Sequence, residues 1–175
     1  MKELQYRMYV FVERHLSPID KGIQASHAVI ELYNEAKLWN KTKESIIFDK
    51  WAHFDKTLIL LDGGNVNDLN NLSEYLSENG IHYGAFAEED LDNILTAVAV
   101  VVDERIFNKK DYPDFETWLN EIKGVTFDDG YCYLYDKSNH EVIEQQDFYN
   151  EWVEYIGGEK NLRLRELINN KKLAR

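Results

Sequence analysis

The chain of 175 residues is poor in several features that would place it in a specialised class of protein. It has a single cysteine, Cys132, so no internal disulfide can form, and no Cys/His set recurs at the spacing of a zinc site. No apolar run approaches the ~20 residues of a transmembrane helix, and residues 1–5 carry no signal-peptide core. No nucleophile elbow, phosphate loop or zinc signature is present. We therefore expect a cytoplasmic protein that needs no metal, cofactor or membrane.

Positive charge is also scarce, since 20 Lys and Arg stand against 32 Asp and Glu and give a net charge of −12. This balance argues against a broad nucleic-acid-binding surface. Residues 159–175 are the exception, because they hold six cations and two anions, a local +4 that leaves −16 on the rest. The six cations are Lys160, Arg163, Arg165, Lys171, Lys172 and Arg175. This tail is either a binding site for phosphate groups or the solvated face of a terminal helix.

Hydrophobic periodicity predicts that strands and helices alternate through the first hundred residues. The predicted strands are residues 7–13, 57–61, 81–87 and 96–102; the predicted helices are residues 18–39, a short one near 48–51, and one that ends at residues 79–80. This order favours parallel pairing through right-handed crossovers. The last connection is too short for a crossover helix, so the fourth strand should run antiparallel. The sequence therefore predicts an α/β fold, a three-layer α/β/α sandwich on a mixed four-stranded sheet.

The first helix should begin after Ser17, an N-cap followed by proline at the first helical position. Two apolar stripes are present, one with Ala25 and Ala28 and the other with Ile23 and Ile30, so the helix is apolar over more than half of its circumference and is expected to be buried against the sheet. Residues 107–175 are aromatic and predict short helices near 115–122, 148–156 and 162–168 and a strand at 131–135. No Pro- or Ser-rich linker precedes them, so we predict a core at 1–106 and an α-rich C-terminal extension at 107–175, packed on the core or on a partner.

Ligands of an open parallel sheet bind beyond the carboxyl ends of its strands. Three segments are expected to meet at that edge: the opening turn of the first helix with Lys21 and Gln24, the acidic loop at residues 88–93, and Thr96 on the returning strand. His27 lies on an adjoining part of the same helix face. The sequence therefore predicts a candidate site at this edge.

Within that site, His27 is the natural general base or proton shuttle, tuned by a carboxylate such as Asp90 or Glu89. Thr96 and Gln24 could hold a water or a carbonyl group by hydrogen bonds. Each residue also has a purely structural interpretation: His27 as a hydrogen-bonded core residue, the acidic run as a solvated loop, and Thr96 as a residue chosen for β propensity.

The motifs that carry a resemblance are Tyr9-Val10-Phe11-Val12, Leu16-Ser17-Pro18, Gln24-x-x-His27-Ala28, and Glu89-Asp90-Leu91 leading to Thr96-Ala97-Val98-Ala99. Together they resemble the type 2 peptidyl-tRNA hydrolase family, more narrowly its divergent phage-encoded members, over about residues 6–106. The resemblance implies hydrolysis of the ester that joins a peptide to tRNA, without metal or cofactor, in the host cytoplasm if the chain is phage-encoded. It implies that Gln24 and His27 form the helix motif, Asp90 the loop aspartate and Thr96 the threonine of the last strand.

Three hypotheses follow from these observations. The first is an esterase in which His27 and Asp90 move protons and Gln24 and Thr96 position the carbonyl or water. In this hypothesis Lys21 and Glu89 bind the substrate. Four cations of the basic tail bind its tRNA part: Arg163, Arg165, Lys171 and Lys172. The alternative is a catalytically inactive phage accessory protein that uses the acidic core and the aromatic extension to bind a protein partner or a second copy. The third is a binder of small nucleotides or modified tRNA.

Overall fold

The computed structural model describes residues 3–38, 43–123, 134–135, 142–143 and 145–174. The chain divides into two compact units: unit 1 contains Met1–Glu104 and Leu167–Arg175, and unit 2 contains Arg105–Glu166. The last segment, in contrast, belongs with unit 1 and not with the rest of the extension, because it pairs with a strand of the sheet.

Unit 1 is built on a four-stranded sheet. Its elements are β1 Tyr6–Glu13, α1 Pro18–Leu38, α2 Lys43–Lys50, a π-helical turn Trp51–Asp55, β2 Thr57–Gly64, α3 Val66–Glu78, β3 Gly84–Glu88, a 3-10 turn Glu89–Leu91 and β4 Ile94–Asp103. The strand order is β2-β1-β4-β3, with β1 and β2 parallel and β4 antiparallel to both of its neighbours. The predicted mixed sheet with an antiparallel fourth strand is therefore confirmed.

Alternate side chains of β1 face two different helical layers. Met8 and Val10 belong to a core cluster with Ala25, Ala28 and other residues of α1 and α2. The buried residues Tyr9 and Phe11 point to the opposite face, on the side where Leu69, Leu72 and Leu76 of α3 are buried. The α/β/α sandwich predicted from the sequence is thus the fold of unit 1.

Helix α1 begins where Ser17 predicts, because the Ser17 hydroxyl accepts a hydrogen bond from the Asp20 N–H at 3.2 Å. Its alanine stripe is buried against the sheet, as expected. The second apolar stripe is not buried, since Ile23 is 47% and Ile30 54% exposed. Only one side of α1 meets the sheet, so these two isoleucines remain partly open to solvent.

Two boundaries of the sheet strands differ by three residues from those predicted, and the others by two at most. β3 begins at Gly84 and not at residue 81, because the Ile81 N–H donates to Leu76 O and closes α3. β2 continues to Gly64 instead of ending at residue 61, and α3 follows directly with Asn65 and Asp68 as a capping box. Residues 39 and 131–133, which the sequence assigns to the first helix and to a strand of the extension, lie outside the described residues, as does Cys132.

The rest of the chain is mainly helical. It contains α4 Glu104–Phe107, α5 Phe115–Trp118, a π-helical turn Leu119–Lys123, β5 Leu134–Tyr135, β6 Val142–Ile143, α6 Gln145–Tyr155 and α7 Glu159–Asn169. The core of unit 2 consists of Trp118, Leu119, Phe148, Trp152, Val153, Ile156 and Leu162. Among the described residues, no helix combines the length and the apolar character needed to cross a membrane.

Candidate active site at the carboxyl edge of the sheet

The carboxyl ends of β1, β2 and β3 lie at one edge of the sheet. β1 and β2 are parallel, and β4 runs antiparallel to both β1 and β3. Strands β1, β2 and β3 therefore all end on the same side of the sheet. The same edge receives the start of β4, where Ala97 pairs with Val12. Helix α1 starts there as well, since it follows β1. The geometry places the first turns of α1 beside the end of β3 and the start of β4.

A chain of hydrogen bonds joins these three elements. The Thr96 hydroxyl on β4 lies 2.9 Å from Gln24 Oε1 and 3.1 Å from the Phe86 carbonyl oxygen, and it donates to both acceptors with its single proton. Gln24 Nε2 donates to Glu88 Oε2 at the end of β3, at 2.6 Å. Gln24 and Thr96 are both buried. Two residues that the sequence placed in the site are thus in direct contact, 72 positions apart in the chain.

The partners fix which way the Gln24 amide points. A carboxylate accepts hydrogen bonds and donates none, so the amide nitrogen must face Glu88 and the amide oxygen must face Thr96. The opposite orientation would set the oxygen of Gln24 against the oxygen of Glu88. Glu88 is therefore held by a charge-assisted hydrogen bond from a buried side chain, which is a strong positional restraint.

His27 lies at the exposed surface of this site. Its ring stacks on Phe86 of β3, with ring centroids 4.4 Å apart and an interplanar angle of 19°. In the part of the chain that the structure describes, neither ring nitrogen of His27 has a hydrogen-bond partner. His27 is therefore not a hydrogen-bonded core residue; its imidazole is oriented by Phe86 and accessible to a ligand or to water.

The acidic turn after β3 carries the other predicted carboxylates. Glu89 and Asp90 are exposed on the 3-10 turn, and both Asp92 and Asn93 have φ of 58°, a left-handed conformation that reverses the chain. The Asn93 N–H donates to Glu88 O at 3.0 Å and closes this reversal. Glu89 and Asp90 thus follow Glu88, the residue to which Gln24 donates a hydrogen bond. Among the described residues, neither of these two carboxylates has a hydrogen-bond partner.

Glu88 is the member of the network that sequence reasoning missed. The sequence places it in the acidic loop of residues 88–93, whereas the structure makes it the last residue of β3. Strand alternation offered a signal, because residues 86 and 88 of a strand share a face. Phe86 meets His27 and Glu88 meets Gln24, so this face is the one that packs on α1.

The predicted substrate-binding cations occupy different environments. Lys21 is 7% exposed and lines a cavity together with Lys172. Arg163 is exposed and lies 3.8 Å from Glu159 and 3.6 Å from Glu166. Lys171 is half-buried, near the end of the chain.

Arg165 differs from the other cations because it is only 2% exposed, in unit 2. Its guanidinium donates to the carbonyl oxygens of Arg105 and Tyr112, at 2.7 and 2.9 Å, and to Asp114 Oδ1 at 2.6 Å. It also lies 5.8 Å from the ring centroid of Trp152. The geometry therefore gives Arg165 a structural role in unit 2 and not a place on an RNA-binding surface.

Within the described ranges, no group of three or more His, Cys, Asp or Glu side chains is arranged to hold a metal ion. Comparison with models of known protein families finds no match, and comparison with curated proteins finds none either.

Proposed function

We propose that this protein is a peptidyl-tRNA hydrolase-like esterase, which hydrolyses the ester between a peptide and the terminal ribose of tRNA. The observation that supports the proposal most is the hydrogen-bond chain from Thr96 through Gln24 to Glu88, beside the exposed imidazole of His27. Ester hydrolysis needs a group that takes a proton from water and returns it to the leaving oxygen. An imidazole is suited to that task near neutral pH.

In the proposed reaction, His27 accepts a proton from water as the water oxygen adds to the ester carbonyl carbon. The bond between the carbonyl carbon and the ribose oxygen then breaks, and the ribose oxygen receives the proton from the imidazolium. A carboxylate of the acidic segment balances the transient charge on the ring. Glu88 is held for this role by Gln24, and Asp90 is the candidate that the resemblance favours.

Gln24 and Thr96 act as positioning residues in this proposal. Both side chains are buried and bonded to protein groups, so they orient Glu88 and tie α1 to the sheet. This differs from the role expected from the sequence, in which they contact the carbonyl or water themselves. Substitution of Thr96 should therefore change activity through the position of Glu88.

The test is cleavage of N-acetyl-aminoacyl-tRNA by the purified protein, followed on acid gels. We expect His27→Ala to lower the rate by ~10²-fold or more, the usual contribution of a positioned acid or base. His53→Ala is the matched control, because His53 is also exposed but precedes β2, at the opposite edge of the sheet. Glu88→Gln and Asp90→Asn, compared in the same assay, identify the carboxylate partner.

An absence of cleavage by a folded wild-type protein would contradict the proposal, as would a His27→Ala variant within a few-fold of wild type. Binding of a protein partner, without catalysis, would then become the leading hypothesis.

The proposal includes tRNA as the partner of the basic tail. Arg163, Lys171 and Lys172 are the cations of the tail to be tested, whereas Arg165 serves as a structural residue. Each lost phosphate contact should weaken tRNA binding similarly for all sequences and flatten its salt dependence. Filter binding of tRNA by Lys171→Gln and Arg163→Gln at several salt concentrations measures both effects.

A further inference from the structure

A cavity of about 250 Å³ lies at the carboxyl edge of β1 and β2. Its lining consists of Val12, Arg14, Lys21, Asp62, Lys172, Leu173 and Ala174. It contains none of the residues Gln24, His27, Glu88, Asp90 and Thr96 to which the hydrolase proposal gives catalytic or positioning roles, although Lys172 is also one of the tail cations proposed to hold tRNA. The cavity is somewhat smaller than the ~300–1,000 Å³ pockets that enclose whole small molecules, so it suits a small group or one end of a larger ligand.

The charge of the cavity lining is positive although the protein as a whole is acidic. Three residues of the lining are cationic, Arg14, Lys21 and Lys172, and one is a carboxylate, Asp62. Burial on its own would raise the pKa of Asp62, but the hydrogen bond from Gly64 N and the guanidinium of Arg14 outweigh it and lower this pKa. Asp62 is thus ionised at neutral pH and forms an ion pair with Arg14, so the cations of the lining outnumber its carboxylates.

The geometry of Arg14 leaves donors for a ligand. Its Nε lies 3.0 and 3.2 Å from the two Asp62 oxygens. Its terminal Nη groups make no hydrogen bond within the described part of the chain. Lys21 adds an ammonium group on a residue that is 7% exposed, where water screens charge less than at the open surface. An anion in the cavity would therefore meet the Nη groups of Arg14, with Lys21 as a further cation of the lining.

The C-terminal segment builds one wall of the cavity. The Asp62 N–H donates to Lys172 O at 2.9 Å, the Ala174 N–H donates to Leu60 O at 3.0 Å, and Leu173 forms an antiparallel bridge with Leu61. These bonds add the segment to the edge of β2 and hold Lys172 at the cavity. Backbone pairing, and not a flexible tail, thus brings Lys172 to the cavity that Arg14 and Lys21 also line.

We propose that this cavity binds a phosphate group, either as the free ion or as a phosphate ester. The planar fork of an arginine together with lysine point charges matches the several oxygens and the charge of a phosphate. The net positive lining matches its one to two negative charges. The inference does not depend on the hydrolase activity, because binding in this cavity can be measured without any reaction.

The experiment titrates the ¹⁵N-labelled protein with inorganic phosphate and, separately, with adenosine 5′-monophosphate, at constant ionic strength set by chloride. We expect saturable shifts of backbone amides around Arg14, Asp62 and Leu173. Affinities equal within a few-fold for the two probes would identify a free-phosphate site. Clearly tighter binding of the nucleotide would identify a phosphate-ester site. Both results support the proposal.

Arg14→Gln and Lys172→Gln should each weaken phosphate binding by about tenfold, the usual loss for one charge-assisted hydrogen bond. The matched control is Lys110→Gln, which removes the same charge from an exposed residue of unit 2. No saturable shift for either probe up to about 10 mM would overturn the proposal. Equal weakening by Lys110→Gln would overturn it too, because the attraction would then be a property of net charge alone.

Discussion

At the scale of single residues, Gln24 is the contact that joins three elements at the candidate site. Its amide oxygen accepts from Thr96 on β4, and its amide nitrogen donates to Glu88 on β3, while Gln24 itself belongs to α1. Buried polar groups are costly unless they are hydrogen-bonded, so each of these groups depends on the other two. Loss of any one group is therefore felt across the network.

The first prediction concerns Thr96→Val, which keeps the shape of the side chain and removes the hydroxyl. Gln24 Oε1 and the Phe86 carbonyl oxygen then lose a buried donor. We expect the free energy of unfolding to fall by about 1–3 kcal/mol, measured by urea denaturation. Thr96→Ser is the control, since it keeps the hydroxyl and should cost less than valine does. A serine variant less stable than the valine variant would mean that the methyl group, and not the hydrogen bond, matters.

The sequence identified part of this site for clear physical reasons. Gln24 and His27 were found because helix periodicity sets residues three apart on adjoining parts of one face. Thr96 was found because a short connection forces β4 to return to the same edge. Glu88 was missed because an acidic run next to a turn does not show which of its residues ends the strand. That boundary depends on the register with β4, a long-range property.

The second prediction compares two arginines of the tail, Arg163 and Arg165. Arg165→Met leaves two carbonyl oxygens and Asp114 without their donor in unit 2, so we expect a loss of about 2–4 kcal/mol of stability. Arg163→Met removes only exposed ion pairs and should cost less than about 1 kcal/mol. Thermal and urea unfolding of both variants measure the difference. Similar losses for the two variants would contradict the structural role of Arg165.

The third prediction concerns the pH dependence of stability at Asp114. Burial alone would raise the pKa of Asp114, but hydrogen bonds from Lys109 and Arg165 outweigh it and lower this pKa below the unfolded value of 3.8. The ionised Asp114 therefore adds to the free energy of unfolding in full above pH 3.8. This contribution is lost as the pH falls through the pKa that Asp114 has in the folded protein. We expect stability to fall less steeply with acid in Asp114→Asn than in the wild type. Urea midpoints at successive pH values test this, and parallel curves for the two proteins would refute it.

At the scale of secondary-structure elements, the approach of β3 to α1 depends on a glycine. A Cβ atom at Gly84 would collide with Leu32 N and Ala28 O of the helix backbone. The fourth prediction is that Gly84→Ala destabilises the protein by about 1–3 kcal/mol, because the helix must move away from the strand. Gly22→Ala is the control, because Gly22 lies on α1, the helix that Gly84 contacts. No atom lies within 4 Å of a Cβ built there, so we expect it to stabilise by about 0.4–1 kcal/mol. Calorimetric unfolding measures whether each variant is less stable or more stable than the wild type.

The elements that the sequence predicted well are those set by local rules. Ser17 and Pro18 mark the start of α1, and the apolar run of β1 predicts a central strand covered on both sides. The start of β3 and the pairing of residues 172–174 with β2 could not be predicted in this way. The first depends on Gly84 fitting against α1, and the second on a partner strand more than a hundred positions away.

At the scale of the whole molecule, the dominant property is the net charge of −12. Among the described residues, the ion pairs of the surface include Arg14 with Asp62, Lys50 with Glu3, and Lys109 with Asp114, and each has at least one half-exposed partner. Such pairs contribute ~0–1 kcal/mol each. The excess carboxylates repel one another over longer distances, so their repulsion should exceed what these pairs contribute.

The fifth prediction follows from this balance: moderate salt should stabilise the protein at pH 7. Raising sodium chloride from about 0.01 M to about 0.1 M shortens the Debye length from ~30 to ~10 Å, which weakens distant repulsion more than close attraction. We expect the free energy of unfolding to rise by about 1 kcal/mol. For a chain of this size this corresponds to an increase of about 2–4 °C in Tm, measured by differential scanning calorimetry. At pH 5, near the sequence pI of about 4.8, the same change of salt should leave Tm almost constant, because the net charge is then small. A Tm that falls with salt at pH 7 would mean that close ion pairs, such as that of Arg14 and Asp62, outweigh the net repulsion.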